Sequence, residues 1–230
     1  MAASEASELT IEVDASRRVS ALLRAPEDAR ACYALAHGAG AGMRHPFMAA
    51  IAEALAARGI ATLRYQFPYM EQGSRRPDVP AVAHATVRAA VAEAARALPG
   101  VALVAGGKSF GGRMTSQAEA AAPMPGVRGL AFLGFPLHPA GKPSDERAAH
   151  LAGVRVPMLF LQGTRDDLAD LALLRPVIER LGAGAKLVVF EDADHSFHVR
   201  AKSGRSDADV LAAAAAAIAA WIDGSVLARA

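Results

Sequence analysis

Short apolar runs recur along this chain and alternate with segments of helical pattern. Each run has the length of a single strand, and most are apolar throughout rather than alternating apolar with polar residues. Strands that are apolar on both faces occur in mostly parallel sheets with helices on both sides. We therefore predict an α/β fold whose strands lie at residues 31–38, 60–65, 101–107, 127–134, 157–163 and 185–190.

Turn and capping signals define the elements around these strands. Residues 9–13 alternate apolar and polar side chains, and residues 19–23 follow after the turn DASR, which predicts an antiparallel N-terminal hairpin. Proline and capping-box signals mark helix starts. The predicted helices cover residues 46–57, 78–98, 144–152, 167–181 and 206–223, with one more beginning at residue 110. Because no repeat or linker interrupts this order, we expect a single domain over residues 1–230.

Composition argues against several function classes. The chain has 25 Lys and Arg against 23 Asp and Glu, so no strong field favours nucleic acid. Cys32 stands alone, which excludes an intrachain disulfide and fits a reducing compartment. The first ten residues contain two acids and no apolar run, unlike a signal peptide, and the apolar run at 211–221 is too short to span a membrane. We expect a cytoplasmic protein that binds neither nucleic acid nor membrane.

The segment GGKSFGG at residues 106–112 is typical either of a phosphate loop or of a nucleophile turn. A phosphate loop of the form G-x-x-x-x-G-K-[ST] requires glycine at position 102, where this chain has Ala102, and residues 103–105 are strand-forming. A dinucleotide fingerprint counted from Gly38 fails at Met43. Because neither pattern is met, the sequence disfavours nucleotide binding.

The pattern G-x-S-x-G is met by residues 107–111, directly after a predicted strand and directly before a predicted helix. Glycine two positions before and two positions after Ser109 permits a sharp turn that lifts the hydroxyl above the sheet. Ser109 is therefore our candidate nucleophile. A serine nucleophile needs a base, and the base needs an orienting acid.

The acid and the base are expected just beyond strand ends, in the order serine, acid, histidine. Asp166 lies three residues after Gly163, and His195 lies five residues after Phe190. Right-handed crossovers bring these strand ends to one rim of the sheet. We predict Asp166 as the acid and His195 as the base. The alternatives are Asp167 for the acid, read instead as a helix-start residue, and the loop residues Asp192, Asp194 and His198.

Attack on an acyl carbon creates an oxyanion that preplaced amides must stabilise. The amide of Phe110, which follows the serine, is one predicted donor. The second is expected from Ala39 or Gly40 in the segment HGAG, where small residues let the backbone approach a substrate. We expect His37 to fix this loop through hydrogen bonds rather than to act as a base.

Six blocks in this order resemble the α/β-hydrolase superfamily, in particular small hydrolases of the testis-expressed and NSL-complex-subunit-3-like type, near dienelactone-hydrolase-like proteins. The blocks are HGAGAGMRHPFM, RYQFPYM, GGKSFGGRM, FPLHPAGKP, QGTRD and DADHSF. The resemblance covers nearly the whole chain. It implies a Ser109–Asp166–His195 triad and no cofactor or metal, and it implies little about the substrate, since some members of the group are parts of larger assemblies. Dienelactone hydrolases use cysteine where this chain has serine, so their substrate is not expected here.

About twenty residues separate the strands at 127–134 and 157–163, which predicts a minimal cap or none and an open site. Such a site suits a modest ester, thioester or related acyl compound. Arg64, Tyr65, Tyr69 and His138 are candidates for binding an acid group, with packing as the alternative, and Lys108 is expected to be solvated. We therefore predict a serine hydrolase of small acyl substrates; the alternative is a binding or scaffold protein on the same fold.

Overall fold

The predicted strands form one eight-stranded sheet in the computed structural model, which describes residues 5–228. The strand order is β1-β2-β4-β3-β5-β6-β7-β8. The strands are β1 Ser7–Asp14, β2 Arg17–Arg24, β3 Ala31–Ala36, β4 Ile60–Tyr65, β5 Ala102–Lys108, β6 Val127–Leu133, β7 Met158–Gly163 and β8 Ala185–Phe190. The pairs β1–β2 and β2–β4 are antiparallel and the others parallel, which confirms the predicted sheet and hairpin.

Within residues 5–228, six α-helices cover both faces of this sheet. They are α1 Pro46–Ala56, α2 Pro68–Glu71, α3 Pro80–Ala97, α4 Phe110–Ala121, α5 Leu171–Leu181 and α6 Asp207–Trp221. Shorter turns of 3-10 helix lie at Glu146–Gly153, Gly182–Gly184 and Ala201–Ser203, and a π-helical turn at Ile222–Leu227. The expectation about a signal peptide concerns residues 1–4 among others, and those four lie outside the described residues.

The sheet separates two apolar cores, and β3 shows how. Ala31, Tyr33 and Leu35 point into the core under α1 and α6. Cys32 and its alternate neighbours along β3 point into the core under α3, α4 and α5. Every residue of β3 is buried. A strand covered on both faces gains nothing from polar residues at alternate positions, which is why its sequence is continuously apolar.

The start of α5 and the type of the helix predicted at 144–152 differ from the sequence prediction. Helix α5 begins at Leu171 rather than at 167, because the carboxylate of Asp170 caps it by accepting from Ala172 N at 2.8 Å. The predicted helix at 144–152 is a 3-10 helix. At α6, Ser206 Oγ accepts from Asp209 N at 3.2 Å and the Asp209 carboxylate accepts from Ser206 N at 2.8 Å, so the predicted capping box is present.

The last helix is longer than predicted, because a π-helical turn extends α6 past Asp223 to Leu227. The combined segment Asp207–Leu227 has 21 residues and is long and apolar enough to cross a membrane by length and composition, contrary to expectation. Its buried residues Val210, Ile218 and Trp221 pack in the core beneath the sheet. The helix is therefore a packed layer of this α/β fold.

The parallel strands end at one edge of the sheet, and little covers that edge. Between β6 and β7 the chain forms loops and the single 3-10 helix Glu146–Gly153, in agreement with the predicted minimal cap. The loops after β3, β5, β7 and β8 all emerge at this carboxyl edge. Open parallel sheets place their binding sites there.

Phe160 tests the packing of the core under α3, α4 and α5. Its ring is fully buried, with its centroid 4.8 Å from that of Phe132 and 5.7 Å from that of Phe135. Phe160→Ala should lower the free energy of unfolding by about 3–5 kcal/mol in urea titrations, because it leaves a cavity. Val79, which is 61% exposed, provides the control: Val79→Ala should change stability by no more than about 0.5 kcal/mol. Equal effects of the two substitutions would contradict this packing.

Candidate active site

A strained turn presents Ser109 between β5 and α4. Its backbone angles are φ 49° and ψ −117°, a region that residues with a side chain rarely occupy. Its N–H donates to Leu133 O at 3.1 Å, which ties the turn to the neighbouring strand. A Cβ atom on Gly107 would overlap the carbonyl oxygen of Ala36, and one on Gly111 would overlap that of His37. Glycine is therefore needed on both sides because the end of β3 packs directly against the turn.

A continuous chain of hydrogen bonds joins the three predicted triad residues. His195 Nε2 lies 2.8 Å from Ser109 Oγ, and His195 Nδ1 lies 2.7 Å from Asp166 Oδ2. The Asp166 side chain is 1% exposed and that of His195 is 20% exposed. The carboxylate accepts a hydrogen bond from Nδ1–H, which leaves Nε2 free to accept one from the serine hydroxyl. Asp167, the alternative acid, is exposed and lies outside this chain.

Gln162 supports the carboxylate and was not singled out in the sequence. Its side-chain amide donates to Asp166 Oδ2, and its Oε1 accepts from Phe135 N at 3.0 Å. Asp166 Oδ1 accepts from Leu168 N at 2.9 Å, so both carboxylate oxygens have partners. A buried carboxylate needs such partners to remain charged. The one signal in the sequence is a polar residue inside the apolar run MLFLQG.

Asp194 and His198, two of the alternatives considered from the sequence, have structural partners. Asp194 Oδ1 accepts from Ser196 N at 2.8 Å and from His198 N at 3.0 Å. His198 Nδ1 pairs with Asp207 Oδ2 at 2.9 Å on the surface. The His198–Asp207 pair raises the pKa of His198 through the hydrogen bond and the nearby charge. Neither residue enters the hydrogen-bond chain to Ser109.

Of the three predicted oxyanion donors, the structure leaves two available. Among residues 5–228, the amides of Phe110 and Ala39 donate to no protein acceptor. Gly40 N donates instead to the hydroxyl of Tyr69 at 2.8 Å, which corrects its assignment as a donor to substrate. Phe110 is also the first residue of α4, where the helix dipole favours negative charge.

His37 holds the Ala39 loop in place from beneath. Its Nδ1 lies 2.7 Å from Gly38 O, and its Nε2 accepts from Phe67 N at 3.2 Å. The side chain is fully buried, and this burial lowers the pKa of His37 to about 4. The imidazole is therefore neutral near pH 7, and its hydrogen bonds agree with the structural role expected from the sequence.

Four predictions about substrate contacts and solvation are corrected. Arg64 and Tyr65 are buried, because both belong to β4 rather than to the rim loop, and Arg64 Nη1 donates to Met43 O at 3.1 Å. His138 is 3% exposed, with Nδ1 2.9 Å from Pro139 O and Nε2 accepting from Asp170 N at 2.9 Å. Lys108 is half-buried rather than solvated, and its Nζ donates to the carbonyl oxygen of His195.

A cleft of about 320 Å³ opens beside the Ser109 side chain. It is lined by residues from segment 38–48, by Lys108 and Ser109, by Leu168 and by residues 195–196, and Phe47, Met48 and Leu168 make it largely apolar. A second depression of about 390 Å³ adjoins it and shares Phe47 and Ser196 as lining residues. A larger depression of about 620 Å³ lies at the amino-terminal end of β7 and contains none of the triad residues. Residues 5–228 contain no group of three or more metal-ligating side chains placed to hold an ion.

Residues 29–223 match the family described as alpha/beta hydrolase domain, and the chain belongs to this family. Its fold is similar to that of a dienelactone hydrolase from Anabaena variabilis, with a TM-score of 0.79, 21% identity and coverage of 98% of this chain and 100% of that one. An esterase domain from Rhodothermus marinus gives a TM-score of 0.74, 19% identity and coverage of 96% and 99%. A serine hydrolase without a lid from Xanthomonas campestris gives a TM-score of 0.72 and 22% identity, with coverage of 94% of this chain and 95% of that one.

The lowered pKa of His37 predicts a loss of stability in mild acid. The unfolded chain takes up a proton on this imidazole below its ordinary pKa of 6.5, whereas the folded chain resists protonation down to about 4. The contribution of neutral His37 to the free energy of unfolding is therefore complete above about pH 6.5. It is lost as the pH falls toward 4, by at most about 1.4 kcal/mol per pH unit.

His37→Gln should make the free energy of unfolding less dependent on pH in this range, as measured by urea titrations at several pH values. His150 serves as an internal reference, because burial also lowers its pKa to about 4 and it keeps its own contribution in the variant. Identical pH dependence of the two proteins would show that His37 is protonated equally in the folded and unfolded states.

Proposed function

We propose that the protein is a serine hydrolase that cleaves small acyl substrates through an acyl-enzyme. The observation that carries the proposal is the hydrogen-bond chain from Asp166 through His195 to Ser109, with the serine on a strained turn. A protein that served only as a scaffold would need neither this alignment nor two unpaired amides beside the serine. Membership of the hydrolase family and the esterase and dienelactone hydrolase names of similar folds agree with this reaction class.

In the first half of the proposed reaction, His195 Nε2 accepts the proton of Ser109 as Oγ bonds to the acyl carbon. The negative charge moves to the acyl oxygen, where the amides of Phe110 and Ala39 stabilise it. The imidazolium then gives its proton to the leaving oxygen or sulfur as that bond breaks. An acyl group on Ser109 and a free alcohol or thiol result.

In the second half, water takes the place of the leaving group. His195 Nε2 accepts a proton from the water as its oxygen bonds to the acyl carbon, and the tetrahedral oxyanion again lies at the two amides. Collapse breaks the bond to Ser109 Oγ, which receives the proton from the imidazolium. The products are a carboxylic acid and the original enzyme. Asp166 keeps the imidazole oriented and stays ionised throughout.

The shape of the site supports a modest acyl substrate. The cleft of about 320 Å³ is open, and no cap domain encloses it within the described part of the chain. Its apolar wall of Phe47, Met48 and Leu168 suits a hydrocarbon group rather than a charged one. The adjoining depression continues the apolar surface past Phe47 to Leu211. We propose esters or thioesters with short to medium apolar chains as the substrate class.

Labelling with a fluorophosphonate probe tests the nucleophile. The wild-type protein should be labelled and Ser109→Ala should not. His195→Ala should react at least about 100-fold more slowly than the wild-type protein, because the base is missing. Ser116 offers a matched control, since its Oγ lies 2.8 Å from His150 Nε2 but the residue is fully buried and faces no such cleft. Ser116→Ala should keep the wild-type labelling rate. No labelling of the folded wild-type protein would refute the proposed function.

The dependence of hydrolysis on the length of the acyl chain tests the proposed substrate class. Ala208 is exposed and lines the second depression, so Ala208→Trp should fill it. We expect kcat/KM for p-nitrophenyl hexanoate to fall about tenfold while that for the acetate stays unchanged. Ala216, exposed two turns further along α6, provides the control, and Ala216→Trp should leave both values unchanged. Equal losses on both esters in Ala208→Trp would argue against the depression as a chain-binding site.

A further inference from the structure

Lys108 joins two parts of the site that are far apart in sequence. It is the last residue of β5 and directly precedes Ser109. Its ammonium donates to the carbonyl oxygen of His195, 87 residues away. Nζ also lies 5.5 Å from the centroid of the Phe197 ring, within the range of a cation–π interaction. One side chain therefore connects the strand of the proposed nucleophile to the loop of the proposed base.

Side chains anchor the loop that carries His195 through the buried Phe197 and the His198–Asp207 pair, but its main chain has few hydrogen bonds to the rest of the protein. Within residues 194–198, Asp194 N donates to His198 O at 3.0 Å and Phe197 N donates to Asp194 O at 2.9 Å, so these bonds close the loop on itself. Asp192 and Phe197, on either side of His195, have positive φ angles of 58° and 64°. Among the described residues, the bond from Lys108 is the one hydrogen bond that joins the main chain of 194–198 to a residue outside that segment.

The surroundings of Lys108 are shaped to hold its ammonium at this place. Gly134 follows β6 with a φ of 68°, and a Cβ atom there would lie 3.0 Å from Lys108 Nζ and 3.4 Å from His195 Cε1. The side-chain carbons of Lys108 run beside Gly38, where an added Cβ atom would lie 3.5 Å from Cγ. Two positions without side chains thus leave room for the lysine beneath the imidazole.

Electrostatics keeps the group charged near neutral pH. Burial lowers the pKa of Lys108 to about 8, and the carboxylates of Asp166 and Asp194 oppose that shift. A charged donor makes a stronger hydrogen bond to a carbonyl than a neutral one. Burying an ammonium group costs free energy unless it has hydrogen-bond partners. A lysine held in this place beside Ser109 therefore suggests a functional role.

We propose that Lys108 is a positioning residue, whose ammonium holds the main chain of His195 and thereby sets the imidazole against Ser109. The proposal rests on the proposed serine hydrolase function. Lys108 lines the cleft, so binding of a substrate carboxylate is the alternative role, but its ammonium is engaged with the His195 carbonyl and lies close to Gly134. A misplacement of about 1 Å at a catalytic base lowers turnover by about 100-fold, so one such bond carries a measurable effect.

Two variants test this role, with p-nitrophenyl acetate as a neutral substrate. Lys108→Met keeps the length and the apolar stem but removes the donor, and kcat should fall by about 10- to 100-fold with KM changed less than about twofold. Lys108→Arg keeps a charged donor and should recover most of kcat. Circular dichroism melting checks that each variant is folded. A rise in KM with unchanged kcat in Lys108→Met would instead indicate substrate binding and would overturn the proposal.

A spectroscopic measurement separates this proposal from the proposed function. The proton that His195 Nδ1 shares with Asp166 should give a downfield NMR resonance in the wild-type protein and in Lys108→Arg. It should be broadened or lost in Lys108→Met, because the loop no longer holds the imidazole. An unchanged resonance in Lys108→Met overturns the proposal even where the wild-type protein hydrolyses esters. Absence of fluorophosphonate labelling refutes hydrolysis, while the resonance still decides whether Lys108 positions His195.

Discussion

The close approach of β3 to the Ser109 turn is the contact on which the rest of the site depends. Gly107 and Gly111 lack side chains, so the main chain at Ala36 and His37 packs directly against the turn. This contact places the loop after β3 beside the serine, so that Ala39 and Ser109 line the same cleft. The strain of one residue at φ 49° costs about 1–3 kcal/mol, and the packed sheet on both sides offsets it.

Buried polar side chains then fix the groups that this contact brings together. His37 binds the main chain at Gly38 and Phe67, Tyr69 binds Gly40, and Gln162 binds Asp166. Each of these side chains is nearly inaccessible to water, so each is most stable in the one arrangement that satisfies its hydrogen bonds. The site is thus held by interactions within the loops and the strand ends, without a covering domain.

The sequence was sufficient to predict the sheet and the candidate triad, because both follow from local patterns. Strands buried on both faces are apolar throughout, and all six predicted runs lie within two residues of observed strands. Ser109, Asp166 and His195 were found from the glycine pattern and from their positions after three strands. The same topological rule that orders these strands brings their ends to one edge.

The errors have a common physical cause, which is that the direction of a side chain or of a main-chain amide depends on tertiary packing. Arg64 and Tyr65 were candidates for binding an acid group, yet both pair with β2 on one side and with β3 on the other, and the loop begins only at Gln66. Gly40 was assigned to the oxyanion because it is small, but its amide faces Tyr69, 29 residues away. Contacts between residues so distant in sequence leave no periodic signal.

Lys108 shows how a site without a cap can still be precise. A cap can order a catalytic loop by packing on it, but the His195 loop here is bounded by residues with positive φ and closes mostly on itself. In the proposed role of Lys108, an anchor from the strand that precedes Ser109 couples His195 to the serine, so that movement of one carries the other. The room for that anchor comes from Gly38 and Gly134, at the ends of two further strands. Small residues at the carboxyl edge of this sheet therefore allow close backbone contact at the turn and also accommodate a buried charge beneath the imidazole.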